Sequence, residues 1–231
     1  MPGQFREDGR TVKKHLIIAA VILAAFAAGL GSFLLLAPED RDRGMVEVEA
    51  AAHAQPVRET SHRLTSPGRS ELTVVEFLDF ECEACGAVYP AVEKLRAEYG
   101  DRVTFIARYF PMPGHKNALL AARTVEAAAQ QGKFEEMYGK LFTTQAQWGE
   151  ATESKEALFR EYARELGLDM EKFTDALNDP ATTERIEADQ RDGLGLGVQG
   201  TPTFFVDGLR IPNPASYEEF RALIEKRLAR R

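Results

Sequence analysis

The chain has 231 residues, a formal net charge of −7, 44% apolar and 28% charged residues. One compact domain plus appendages fits this length, and the composition excludes disordered, collagenous and disulfide-dense classes. An acidic chain lacks the basic face of a non-specific nucleic-acid binder, so no nucleic-acid partner is expected.

The first element is apolar and uncharged from Leu16 to Leu36. As a helix it spans about 31 Å, enough for a hydrocarbon core of roughly 30 Å. A cleaved signal peptide is the alternative. Its core is usually shorter, about 7–15 residues, and ends in a small-x-small site that is not seen before Ala37. The reading is an uncleaved transmembrane anchor over 16–36. Residues 1–15 carry Arg6, Arg10, Lys13 and Lys14 against Glu7 and Asp8. The positive-inside rule makes them a cytoplasmic tail and places the rest beyond the membrane. The expected location is the cell membrane, single-pass, with an extracytoplasmic domain. That domain side holds 25 bases and 34 acids, a net of −9. Disulfides are permitted in that compartment.

Residues 37–68 are polar and without period, and read as a tether; Ser61–Thr65 at its end has strand character. The folded domain is expected over 69–231. Leu72–Phe80 reads as a β-branched and aromatic strand, followed by a helix from about Cys82 to Tyr99 closed by Gly100. Arg102–Phe110 reads as a second strand. Ala118, Ala121, Ala122 and Val125 begin a long helical stretch, a helical insertion over about 115–197. Asp179-Pro180 carries a helix-start signal, and Gly193–Gly200 reads as a loop. Thr203–Val206, Asp207-Gly208 and Leu209–Ile211 form a hairpin, and Ser216 with Glu219 opens a last helix. The order of elements gives an α/β mixed sheet with a helical insertion.

The only cysteines, Cys82 and Cys85, stand where a strand hands over to a helix. One helical turn apart, their sulfurs can close a disulfide. The first sits where free amides and the helix dipole favour a thiolate, the species that attacks disulfides. Cys82 is the candidate nucleophile and Cys85 the resolving thiol. A zinc site lacks its second pair of ligands, a Cys82–His115 hydrolase leaves Cys85 unused, and two inert buried cysteines remain a bland alternative. No metal and no cofactor is expected. Gly195-Leu196-Gly197-Val198-Gln199-Gly200 matches the dinucleotide fingerprint, but a helix precedes it and a strand follows, the reverse of the required context.

Four features together resemble the DsbA-like thiol–disulfide oxidoreductases of the thioredoxin superfamily, over roughly 70–231. They are Val74-Val75-Glu76-Phe77 six residues before the cysteine, Cys82-x-x-Cys85, Pro90 in the helix, and Gly200-Thr201-Pro202-Thr203-Phe204. Tyr109-Phe110-Pro111, His115 and the alanine-rich helix ending at Phe134 are similar to the DsbA helical insertion. The resemblance implies a thioredoxin-like sheet and roles residue by residue. Glu76 is buried beneath Cys85 as a proton acceptor, its pKa raised by burial. Thr201 and a cis Pro202 present backbone to an extended peptide. The implied partners are exported proteins with cysteines and, for an oxidase, a DsbB- or VKOR-type membrane reoxidant. A reductase is the alternative, and a peptide-binding chaperone a more distant one. One departure is Glu83-Ala84 where strong oxidants carry Pro-His. With Glu81 adjacent, carboxylates are expected to raise the Cys82 pKa and make the disulfide less oxidising than theirs.

Overall fold

The computed structural model describes residues 53–230. The expected cytoplasmic tail and membrane anchor lie outside the described residues. Among the described residues, no helix is long and apolar enough to cross a membrane.

Among the described residues, five strands form one sheet in the order β1-β3-β2-β4-β5. β2 (Leu72–Leu78) and β3 (Val103–Tyr109) run parallel in its centre, joined by α1 (Glu83–Tyr99). β1 (His62–Arg63) pairs antiparallel with β3 at one edge. β4 (Thr203–Val206) pairs antiparallel with β2, and β5 (Leu209–Arg210) closes the other edge. Asp207 and Gly208 turn between β4 and β5 with φ of 49° and 77°, the positive pair that a two-residue hairpin demands. Between β3 and β4 lie α2 (Ala118–Ala129), α3 (Phe134–Thr143), a short 3-10 turn (Gln145–Gln147), α4 (Glu156–Glu165), α5 (Met170–Asn178) and α6 (Pro180–Gly195). α7 (Tyr217–Leu228) ends the fold. Ser216 Oγ accepts from the Glu219 amide at its start, while the Glu219 carboxylate accepts from the Ala215 amide.

The central strands are covered on both faces, which is why they read as nearly continuous apolar runs. Val74, Leu78, Phe105, Tyr109 and Phe204 join one core with α1, α7 and the insertion. Val75, Phe77, Ile106, Phe110 and Phe205 join a smaller one with Val198. Glu76 and Arg108 interrupt these runs on opposite faces. Glu76 pairs in register with Ala107, and Phe77 with Arg108. Glu76 therefore faces the first core, under α1, and Arg108 the second.

The folded part begins before residue 69. Arg108 is fully buried, and its guanidinium donates to Asp189 Oδ1 at 2.7 Å, Asp192 Oδ2 at 2.6 Å and the carbonyls of Gln55 and Pro56 at 3.0 and 2.8 Å. Arg58 pairs with Asp192 from the same segment. A buried guanidinium needs every donor satisfied, and residues 55–58 supply the acceptors that the sheet cannot. Leu64 is buried in the main core. The end of the expected tether is thus part of the domain.

The Gly193–Gly200 stretch also differs from the expected loop. α6 continues to Gly195 and ends on Gly197 at φ 77°. The amides of Val198 and Gly197 return to the carbonyls of Gly193 and Leu194 at 2.8 and 3.0 Å, a Schellman closure. Gly193 serves close approach rather than a break: a Cβ there would stand 2.7 Å from Phe110 Cδ2 and 3.1 Å from Phe77 Cδ1. The glycine pattern that matches a nucleotide fingerprint is a helix stop.

Candidate active site

Cys82 is the N-cap of α1, with extended φ and ψ of −66° and 119° and no side-chain cap bond. The backbone holds it there by a turn in which the Cys82 amide donates to the Asp79 carbonyl at 3.2 Å. The Asp79 carboxylate steadies that turn. Its Oδ1 accepts from the Glu81 amide at 2.8 Å, and its Oδ2 from the Met112 amide at 2.9 Å and from His115 Nδ1 at 2.6 Å. Cys82 is half-buried and Cys85 fully buried, and both are free thiols.

The two thiols titrate in opposite directions. The hydrogen bond from Cys85 does most to bring the Cys82 pKa down to about 5. Burial opposes it, and bonds from Thr201 and the amides of Cys85 and Ala84 assist. These amides are the unpaired donors of the first helical turn. Burial pushes the Cys85 thiol well up, and donation to Cys82 and the nearby Glu76 add to it. As a thiol, Cys82 donates to the Thr201 carbonyl at 3.3 Å. The Thr201 hydroxyl oxygen is then buried without a partner, in place to turn toward the thiolate.

Glu76 is 5% exposed. Burial first, then the charges of Cys82 and Glu93, raise its pKa to about 8. At neutral pH it is mostly a carboxylic acid beside Cys85, able to give or take a proton there. The Thr201–Pro202 bond is cis. Pro202 lines a groove of about 320 Å³ with Ala84, Val88, Phe204, Pro214 and Tyr217, between the first turns of α1 and the cis-proline segment. The structure therefore gathers Cys82, Cys85, Glu76, Thr201 and Pro202 at one end of the sheet.

The expected opposition of carboxylates to the Cys82 thiolate is not what governs it. Glu81 is 2% exposed, and its carboxylate accepts from the Asn117 amide at 2.6 Å. Glu83 is exposed to solvent. Neither is among the leading influences on Cys82, which are hydrogen bonds. Asp79 and Gln145 escaped the sequence reading. Asp79 carried a faint signal, an acid at a strand end before the cysteine; Gln145 carried none, because its contact joins residues far apart in the chain.

Comparison with known proteins identifies the fold family. The thioredoxin family matches residues 68–226, and the chain belongs to it. A thioredoxin-like oxidoreductase from Silicibacter pomeroyi is similar at 28% identity and a TM-score of 0.64, over 77% of this chain and 96% of that one. BdbD from Bacillus subtilis is similar at 26% identity and a TM-score of 0.63, over 76% of this chain and 97% of that one. The first of these is an oxidoreductase by name, and the unequal Cys82–Cys85 pair has the chemistry of a thiol–disulfide oxidoreductase. In sequence, a Na(+)/H(+) antiporter NhaA from Herminiimonas arsenicoxydans is 37% identical over 74% of this chain and 26% of that protein. NhaA 3 from Salinispora tropica is 33% identical over 88% of this chain and 32% of that protein. The chain spans about a quarter to a third of the length of these relatives.

Proposed function

We propose that the chain is an extracytoplasmic protein thiol–disulfide oxidoreductase that forms disulfides in exported proteins. The observation that carries this reading is the unequal pair: a Cys82 thiolate stabilised to about pKa 5 over a buried, protonated Cys85. In the oxidised enzyme a substrate thiolate attacks the Cys82 sulfur. The Cys82–Cys85 bond breaks, and Cys85 leaves and takes a proton from Glu76. A second substrate thiolate attacks the substrate sulfur of the mixed disulfide. Cys82 departs as a thiolate, and the substrate keeps the new disulfide. The two electrons end on the Cys82–Cys85 dithiol.

A low thiolate pKa favours this direction, because it stabilises the reduced form and makes the disulfide oxidising. A value of about 5 falls between roughly 7 for thioredoxin and roughly 3.5 for DsbA. It supports an oxidase weaker than the strongest of the class. The apolar groove beside Pro202 suits an extended, unfolded segment, held by backbone pairing at Thr201. The uncharged stretch 16–36 and the basic residues before it support a membrane tether with the domain outside. Reoxidation then falls to a membrane protein of the DsbB or VKOR type. No transport activity is carried over from the antiporter-named relatives, of which the matching segment is a minor part.

The test is oxidation of a reduced, unfolded protein with two cysteines by the oxidised chain. Cys82→Ser is expected to abolish substrate disulfide formation. Cys85→Ser, mixed instead with a disulfide-bonded substrate, is expected to hold a substrate adduct on Cys82, because the Cys82 thiolate opens the substrate disulfide and no Cys85 thiol is left to release it. Undiminished activity of Cys82→Ser overturns the reading in favour of a peptide-binding role.

A further inference from the structure

The 3-10 turn after α3 lies far from the cysteines in sequence, yet its first side chain reaches them. The Gln145 carboxamide donates from Nε2 to the Phe80 carbonyl at 2.7 Å and to the Cys82 carbonyl at 2.9 Å. Two carbonyl acceptors fix which end of the amide is the donor. Its Oε1 then lies against Gly86, in the first turn of α1. A Cβ on Gly86 would stand 2.0 Å from that oxygen and 2.8 Å from Cδ. The glycine after the second cysteine therefore leaves room for the carboxamide. The Cys82 carbonyl also accepts from the Gly86 amide at 3.1 Å, so Gln145 grips the peptide unit that starts the helix.

We propose that Gln145 is a positioning residue for Cys82, pinning the Phe80 and Cys82 carbonyls so that the amides of Ala84 and Cys85 stay aimed at the Cys82 sulfur. It touches neither sulfur. It acts by holding the backbone whose N–H groups do, and Gly86 is its seat. Through it the helical insertion, a part of the chain with no cysteine, sets how good a thiolate Cys82 is. The inference rests on the thiol–disulfide reading and extends it to a residue outside the motif.

Gln145→Met keeps the bulk and removes the donors. Gly86→Ala leaves Gln145 intact and displaces its carboxamide, the far end of a flexible side chain; it also favours the helix, so this variant folds. Both are made in the full chain, and two quantities are read: the Cys82 pKa from thiolate absorbance, and the equilibrium constant with glutathione. Each variant is expected to raise the Cys82 pKa by about half a unit, a factor of about three. The dithiol–disulfide equilibrium moves by the same factor toward the disulfide, about 14 mV. In the double variant Gly86→Ala adds nothing to Gln145→Met, because the two break one contact.

A Gln145 that only packs would lower the unfolding midpoints of the oxidised and reduced forms alike and leave both quantities unmoved. That result in either variant, or simple additivity in the double variant, overturns the proposal. A wild-type chain that does not equilibrate with glutathione overturns the thiol–disulfide reading itself, which a failure of the variants alone would leave standing.

Discussion

Replacing Glu76 by glutamine tests whether the buried acid carries the cost and the chemistry assigned to it. Its pKa stands at about 8 in the folded protein against an ordinary 4.5, chiefly through burial. Between those two values the folded state holds a proton that the unfolded state has released. Stability is therefore intact below pH 4.5 and is lost progressively as pH rises toward 8. At about 1.36 kcal/mol per unit, ionisation of the unfolded chain costs about 3 kcal/mol by pH 7. Glutamine has the same shape and no charge to bury. Glu76→Gln is expected to stabilise the reduced protein by about 3 kcal/mol at pH 7 and scarcely at all at pH 4.5. Urea unfolding across that range, with the cysteines kept reduced, reads the difference. The same variant should slow protonation of the departing Cys85, and with it formation of the mixed disulfide, by about tenfold or more. An equal effect at both pH values, or no gain at pH 7, would mean that Glu76 is not held protonated by burial.

Alkylation of Cys82 should rise with pH through about 5 and level off by neutrality. Cys85→Ala removes the largest stabiliser of that thiolate and should shift the alkylation profile upward by about one unit or more. Arg108→Met takes from Asp189 and Asp192 the fully buried cation they share, while Arg185 and Arg58 still pair with them; chemical denaturation should show a loss of about 3 kcal/mol. Gly193→Ala sets a methyl against the rigid rings of Phe77 and Phe110; thermal unfolding should report a cost of about 1–3 kcal/mol despite the better helix former.

The sheet and the redox motif were legible because they rest on local signals. β2 and β3 stand out through both-face burial, Asp207-Gly208 through its turn chemistry, and Cys82 and Cys85 through a spacing of one helical turn. Glu76 was legible as an acid inside an apolar strand. What stayed hidden depends on distant partners. Residues 55–58 look like linker until Arg108 is seen to need their carbonyls. Gly193 reads as a breaker until two rings are found against it. The weight given to Glu81 and Glu83 beside Cys82 followed from sequence proximity. In space Glu81 turns to Asn117, and hydrogen bonds decide the thiolate.

The most direct test is an equilibrium titration of the Cys82–Cys85 pair in glutathione buffers of graded composition. A single two-electron transition is expected, with a midpoint near or above about −180 mV for a disulfide-forming enzyme. A midpoint near or below about −270 mV would contradict the oxidase assignment and indicate a reductase. If Cys82 also failed to react with glutathione, the pair would be a structural clasp, and the proposed thiol–disulfide chemistry would fall.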